Sequence, residues 1–333
     1  MTTISIAICC YNSGSRLPKT LQAIAKYVPS HIPLIVVDDG SQDDTSAVAS
    51  HFTTRILKHS RNLGYGQARQ SAVDACDTDV IAFLDDSCEI LPEWWGNLNK
   101  QWQNYEKLTA VGGPMIIRGT SVAASYARRN NPFAPSHSQV NGNIGFLARL
   151  NEYMYPSLEL SSRHVSRCAN GNLSIKMNSI VEIGGYDVKL NLGGEDENIC
   201  NRLIAQYGTK SIFFDSNIRV YQNDKVTISS ACRRSYRYGK SLCDAYLRTG
   251  GIPTFLPLPS IYLLALFLLY EGFSFPGALI GMAFIPILFA IGDPRSRSFN
   301  SRQVLDFHLR VIYEMSNNIG FLSRMFSNLV KKF

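Results

Sequence analysis

Asp85 and Asp86 stand at the abrupt end of an apolar run, Val80-Ile81-Ala82-Phe83-Leu84. Two carboxylates there can hold ribose hydroxyls or a divalent metal that bridges phosphates. Asp38 and Asp39 follow a similar run, Pro33 to Val37, and Asp39 can accept hydrogen bonds from a nucleobase N–H or a ribose hydroxyl. Tyr11 and Asn12 follow a third run, Ile4 to Cys10, and Tyr11 offers an aromatic face for base stacking. Arg69 closes the glycine-bearing stretch Arg61-Asn62-Leu63-Gly64-Tyr65-Gly66-Gln67-Ala68-Arg69 and supplies a planar cation suited to a diphosphate. Each residue taken singly has a plainer reading. The acids after Leu84 could cap the next helix, Arg69 could be a solvated helix charge, and Tyr11 could be a core aromatic. The glycine spacing is not the dinucleotide-binding pattern. Three strand ends that all finish in ligand-capable groups favour the functional reading.

The elements that must position these groups are legible. Short runs of β-branched and large apolar residues read as buried parallel strands. Strands are expected at Ile4–Cys10, Pro33–Val37, Arg55–His59 and Val80–Leu84, with helices over 14–26, 43–52 and 67–76. Pro92 should open a further helix carrying Trp94 and Trp95. This alternation predicts a doubly wound parallel sheet over residues 1–100, whose ligands lie beyond the carboxyl ends of the strands. Farther on, Ala110–Ile117 reads as one strand, and Thr209–Phe214 and Asn217–Tyr221 as two more. Residues 119–165 read as an acceptor-side insertion or lid, with Arg128 and Arg129 either at a membrane surface or merely solvated.

The chain has 333 residues, 45% apolar and 18% charged, enough for one large or two modest domains. Its net charge of +7 fits anionic lipid or a phosphate-rich ligand. The basic residues form no long run, so nucleic acid is not an expected partner. The eight cysteines have no zinc-like spacing and read as buried thiols of a reducing compartment. No signal peptide is expected, and the catalytic part is placed in the cytoplasm.

The ordered set Cys10-Tyr11-Asn12, Val36-Val37-Asp38-Asp39-Gly40-Ser41, Asn62-Leu63-Gly64-Tyr65-Gly66, Phe83-Leu84-Asp85-Asp86-Ser87 and Gly193-Gly194-Glu195-Asp196 resembles family 2 of the inverting glycosyltransferases. The resemblance covers roughly residues 1–245. It implies a GT-A fold, a mixed but mostly parallel α/β sheet, and a nucleoside-diphosphate sugar as donor. By position, Tyr11, Asn12 and Asp39 would lie in the base-binding region, Arg69 would be the nucleotide-pocket arginine, and Asp85 and Asp86 would begin the DxD motif. Ala169-Asn170-Gly171-Asn172 resembles the segment where backbone passes close to the donor sugar, which assigns Gly171 and Asn172 to donor binding. Inverting transfer needs a base for the acceptor hydroxyl proton. The match to the family's acidic pair assigns that role to Asp196, with Glu195 supporting it or touching the acceptor; capping of the helix start explains part of the same pattern.

The chain also departs from the family. Ser87 stands where the DxD motif would place a second metal-binding aspartate, and Gln222 stands near an expected metal-ligating histidine. That leaves Asp86 as the expected metal ligand and makes a divalent cation, Mg2+ or Mn2+, an open cofactor. Arg233 to Lys240 resembles the family's Arg-Trp segment, with Arg237-Tyr238 in its place. Arg237 is therefore expected to stabilise the leaving diphosphate in part of the metal's stead. The alternative is a juxtamembrane basic patch.

Ile252–Tyr270 and Phe273–Ile291 are charge-free runs, each long enough to span a bilayer core. They predict a helical hairpin over 252–291, spanning or re-entrant, with both ends in the cytoplasm. A soluble buried hairpin is the rival. Residues 295–333 read as an amphipathic helical tail on the membrane or against the catalytic domain. The expected activity is sugar transfer to a hydroxyl of a lipid-linked or cell-envelope glycan. A polyprenyl-phosphate sugar synthase is the rival within enzymes, and a non-catalytic nucleotide-sugar-binding subunit the rival outside them.

Overall fold

The computed structural model describes residues 2–104, 107–130, 133, 161–223, 226–249, scattered positions between 262 and 287, and 301–330. The chain forms two compact units, one of Met1–Thr120, Ala127–Arg149 and Leu158–Lys225, the other of Ser121–Tyr126, Leu150–Ser157 and Val226–Phe333.

In the first unit the strands are β1 (Ile4–Cys10), β2 (Leu34–Asp38), β3 (Arg55–Lys58), β4 (Val80–Asp85), β5 (Cys88–Ile90), β6 (Ala110–Gly112), β7 (Met115–Ile117), β8 (Arg163–His164), β9 (Asn172–Lys176), β10 (Ile212–Phe214) and β11 (Val220–Gln222). The larger sheet runs β3-β2-β1-β4-β9-β6-β10-β8. Its β3-β2-β1-β4 half is parallel throughout. That is the doubly wound half expected from the alternating runs. Strand β9 then enters antiparallel between β4 and β6, which makes the sheet mixed.

Alternate residues of each central strand feed opposite layers, as a period of two requires. Ile4, Ile6 and Ile8 of β1 with Val80, Ala82 and Leu84 of β4 pack under α1 (Leu17–Tyr27), α2 (Thr45–Ser50) and α4 (Trp94–Asn104). Ala7, Ile81 and Phe83 face the other layer, against α3 (Tyr65–Asp74), α6 (Met177–Glu182) and α7 (Glu195–Tyr207). Helix α1 buries Leu17, Leu21 and Ile24, and has Pro18 in its first turn where a missing N–H costs nothing.

Two expectations need correction. The single strand expected over Ala110–Ile117 is two, because Gly113-Pro114 breaks it. A Cβ on Gly113 would lie 1.9 Å from the Ile218 carbonyl oxygen, so the backbones touch there. Strand β7 instead joins a separate sheet ordered β5-β11-β7. Strand β5 was not expected at all, since its pairing partner, β11, is remote in sequence.

In the second unit, α8 (Ile228–Thr249) packs on α9 (Ser301–Val330). Glycines set the close approach: a Cβ on Gly239 would lie 1.8 Å from the Asn317 carbonyl oxygen, and one on Gly320 would lie 2.0 Å from that of Tyr236. Arg324 pairs with Asp244 at 2.7 Å across the same contact. Helix α9 is the expected amphipathic tail helix. It buries Phe307, Val311 and Phe321 and exposes Leu305, Ile312, Ile319, Leu322, Phe326 and Val330. Most of the expected hairpin at 252–291, the arginines at 295 and 297 and most of the expected lid lie outside the described residues. Among the described residues no helix is long and apolar enough to cross a membrane. Helix α5 (Val122–Asn130) carries Arg128 and Arg129 in its last turn.

Candidate active site

The carboxyl ends of the parallel strands bring three charged side chains into one row. Asp85, the last residue of β4, lies 3.4 Å from Nη2 of Arg69 on α3. On its other side Nε of Arg69 lies 3.6 Å from Oε1 of Glu195. Glu195 opens α7 just after Gly193 and Gly194, whose φ values of 127° and 83° suit glycine alone. Arg69 and Glu195 are only 5% and 6% exposed.

Burial opposes the Arg69 charge, but Glu195 and Asp85 outweigh it and raise the pKa of the guanidinium. Burial pushes the Glu195 carboxyl up; Arg69 pulls it down and Asp196 pushes it up again, with a net rise. At such separations an ion pair is worth about 4 kcal/mol at an effective dielectric constant near 20, before the cost of desolvation. Nε of Arg69 is a buried donor without a hydrogen-bond partner, and the Asn170 side chain hydrogen-bonds to the Glu195 carboxyl. Tyr186 completes the wall, its ring edge-on to Phe83 at 5.6 Å and its hydroxyl donating to Asn170 Oδ1 at 2.9 Å. Gly171 lies against Asp85: a Cβ there would be 2.5 Å from Oδ2.

Asp196 is half-buried beside Glu195, and its Oδ1 accepts the Glu197 backbone N–H at 2.8 Å. Asp86 points away from this row. Arg16 pairs with it at 2.7 Å, Ser13 donates to the same oxygen, and Thr20 donates to its carbonyl at 2.9 Å. The expected metal ligand is thus held by the loop that follows β1 and by the first turn of α1. Side chains alternate along an extended strand, which is why adjacent acids diverge.

The remaining expected residues are distributed unevenly. Tyr11 follows β1 with 44% of its surface exposed, available for stacking. Asn12 is a loop bracket, with φ of 49°, its N–H donating to Ser41 Oγ and its Oδ1 accepting the Gln42 N–H. Asp39 is 4% exposed and clamps the loop before α3. It accepts from the Leu63 and Gly64 N–H groups at 2.9 and 2.8 Å and meets His59 Nδ1 at 2.6 Å. Asn172, expected at the donor sugar, is 2% exposed and committed to the core. It accepts from Trp94 Nε1 at 2.9 Å and donates to the Ile218 carbonyl at 2.7 Å. Arg237 is exposed on α8, in the second unit.

Sequence reasoning missed Arg16, His59 and Asn170. His59 Nε2 also reaches Ser71 Oγ at 2.9 Å, so it ties β3 to α3 behind Asp39. A histidine ending a strand just before the glycine loop was the only local signal. Ser87 and Gln222 prove to be partners, with Gln222 Nε2 donating to Ser87 Oγ at 2.9 Å.

Residues 5–157 match the family model described as Glycosyl transferase family 2. That match takes in a little under half of the chain. Similar proteins include a glucosyl-dolichyl phosphate glucuronosyltransferase of Haloferax volcanii, 22% identical over 63% of this chain and 66% of that one. An undecaprenyl-phosphate 4-deoxy-4-formamido-L-arabinose transferase of Pseudomonas savastanoi is 33% identical over 27% of this chain and 29% of its own. The chain thus spans less than two thirds of the length of these relatives. Among solved structures, a mannosyltransferase of Pyrobaculum calidifontis in complex with GDP-Man and Mn2+ superimposes with a TM-score of 0.58 over 98% of this chain and 88% of that one, at 11% identity. That likeness establishes a GT-A-like fold. These relatives and this solved structure are glycosyltransferases.

Proposed function

We propose that this chain is a family 2 glycosyltransferase that transfers a sugar from a nucleoside diphosphate to an acceptor hydroxyl, with inversion, on a lipid-linked or cell-surface glycan at the cytoplasmic face of a membrane. The observation that carries the reading is the Asp85–Arg69–Glu195 row at the carboxyl edge of the parallel strands, with Asp196 beside it. Such an edge is where ligands of open α/β sheets bind.

Burial divides the labour of the acidic pair. Glu195 is enclosed against Arg69 and suits positioning, whereas half-buried Asp196 can meet an acceptor. Asp196 takes the acceptor hydroxyl proton as the new oxygen–carbon bond forms at the anomeric carbon. The bond to the diphosphate breaks on the opposite face, and the nucleotide leaves with that electron pair. Tyr11 offers a stacking face for the base. Arg237, if brought to the leaving group, would add positive charge there. The exposed apolar residues of α9 and the net charge of +7 support contact with membrane lipid. The solved neighbour carries Mn2+, so the fold itself admits a divalent cation.

The deciding experiment is turnover of a nucleotide-sugar panel by detergent-purified protein with membrane extract as acceptor. Asp196→Asn should lower kcat by about 10²–10⁴-fold while donor affinity holds. A variant that kept its full rate would favour transfer to a polyprenyl phosphate, whose oxygen is already ionised. The Pseudomonas savastanoi relative supports that second reading. Donor binding without any turnover in the wild type would leave only the binding-subunit role.

A further inference from the structure

We infer that this chain holds no divalent cation where its fold family would hold one, because the two side chains in the ligand positions are bonded to each other. Ser87 follows the end of β4 and Gln222 ends β11. The smaller sheet joins them, since β11 pairs antiparallel with β5 and sets Gln222 opposite Cys88. Gln222 Nε2 donates to Ser87 Oγ at 2.9 Å, and Cys88 Sγ donates to Gln222 Oε1 at 3.0 Å. The Asn223 N–H donates to the Ser87 carbonyl at 2.9 Å. Ser87 and Gln222 are each 3% exposed. A hydroxyl and an amide are neutral oxygen donors, and Mg2+ bound by proteins normally takes at least one carboxylate.

The neighbouring carboxylates do not make up the deficit. Asp85 faces Arg69 and Asp86 faces Arg16, so both of these acids already have a guanidinium beside them. A cation arriving there would meet two fixed positive charges. Among the described residues no group of three or more His, Cys, Asp or Glu could hold a metal ion. The donor set therefore does not fit the group, and the positive charge at this edge belongs to Arg16 and Arg69. For the identity of the bound ligand, this inference rests on the nucleotide-sugar reading above; for the metal, it rests on Ser87, Gln222 and the pairing of Asp85 and Asp86.

The probes are Mn2+ followed by electron paramagnetic resonance, and UDP and GDP followed by calorimetry, all with the purified full chain. Mn2+ should stay in its free, aqueous signal with the wild type. The better-bound nucleotide should show the same Kd in EDTA as in Mn2+. The double variant Ser87→Asp/Gln222→His should acquire a Mn2+ signal broadened by protein. Stoichiometric Mn2+ binding by the wild type overturns the inference. So does nucleotide binding that weakens roughly tenfold in EDTA, a loss of ~1.4 kcal/mol. A folded double variant that binds no Mn2+ refutes the placement of the site. If neither nucleotide binds in either buffer, the donor reading fails, while the Mn2+ titration of the wild type still decides the metal question.

Discussion

Glu195 carries an unusual load for a single residue. Its carboxyl is enclosed, and burial holds it above its ordinary value of 4.5 despite the Arg69 guanidinium. As pH rises through about 4.5 the unfolded chain therefore releases this proton before the folded chain does. In the window above that value the folded state binds more protons, so stability falls as pH rises. Glu195→Gln removes the group and should remove that slope. Urea midpoints of the two proteins, measured from acid toward neutral pH, should diverge, with the wild type losing ground to the variant. Parallel curves would show that Arg69 cancels the cost of burial completely. The nearby Cys9 thiol, pushed up to about 12 chiefly by burial, stays protonated through this range and leaves the measurement undisturbed.

At the scale of elements, glycines decide where backbones meet. Gly113 separates β6 from β7, and its hydrogen faces the Ile218 carbonyl oxygen where a methyl would sit 1.9 Å away. Neither partner is a flexible side chain, so Gly113→Ala must push two strands apart. The expected loss is about 1–3 kcal/mol, the range for overpacking a close contact. Gly96, on α4, has nothing within 4 Å of its missing Cβ. Gly96→Ala should stabilise by roughly 0.5–1 kcal/mol, because the unfolded chain loses freedom and nothing clashes. Equal unfolding midpoints for the two variants would mean that the β6–β7 break is not a packing constraint.

For the molecule as a whole, the proposed membrane contact is the property to test. Ile319 and Phe326 are 55% and 68% exposed, seven positions apart on α9, so they share a face. Burying such a side chain is worth about 1.5–3 kcal/mol, so Ile319→Ser/Phe326→Ser should weaken binding to anionic vesicles at least tenfold. Its thermal midpoint should stay that of the wild type, because neither residue is in the core. Co-sedimentation unchanged by the double substitution would remove α9 as the contact.

The sequence by itself determined the parallel half of the sheet, because short apolar runs and the turns between them are local signals. Strand β1 was legible to the residue, as was the start of β4. It also marked Asp85 at a strand end and Arg69 beyond the glycine-bearing loop, whereas Glu195 was marked by the resemblance to the family's acidic pair. Only the tertiary structure decided how those groups were used. It turned Asp86 to Arg16, gave Asn172 to Trp94, and spent Asp39 on the loop before α3. It also built β5 from pairing with β11, and joined Ser87 to Gln222. Each of these depends on partners far apart in the chain, brought together by strand register and burial, which no local pattern records.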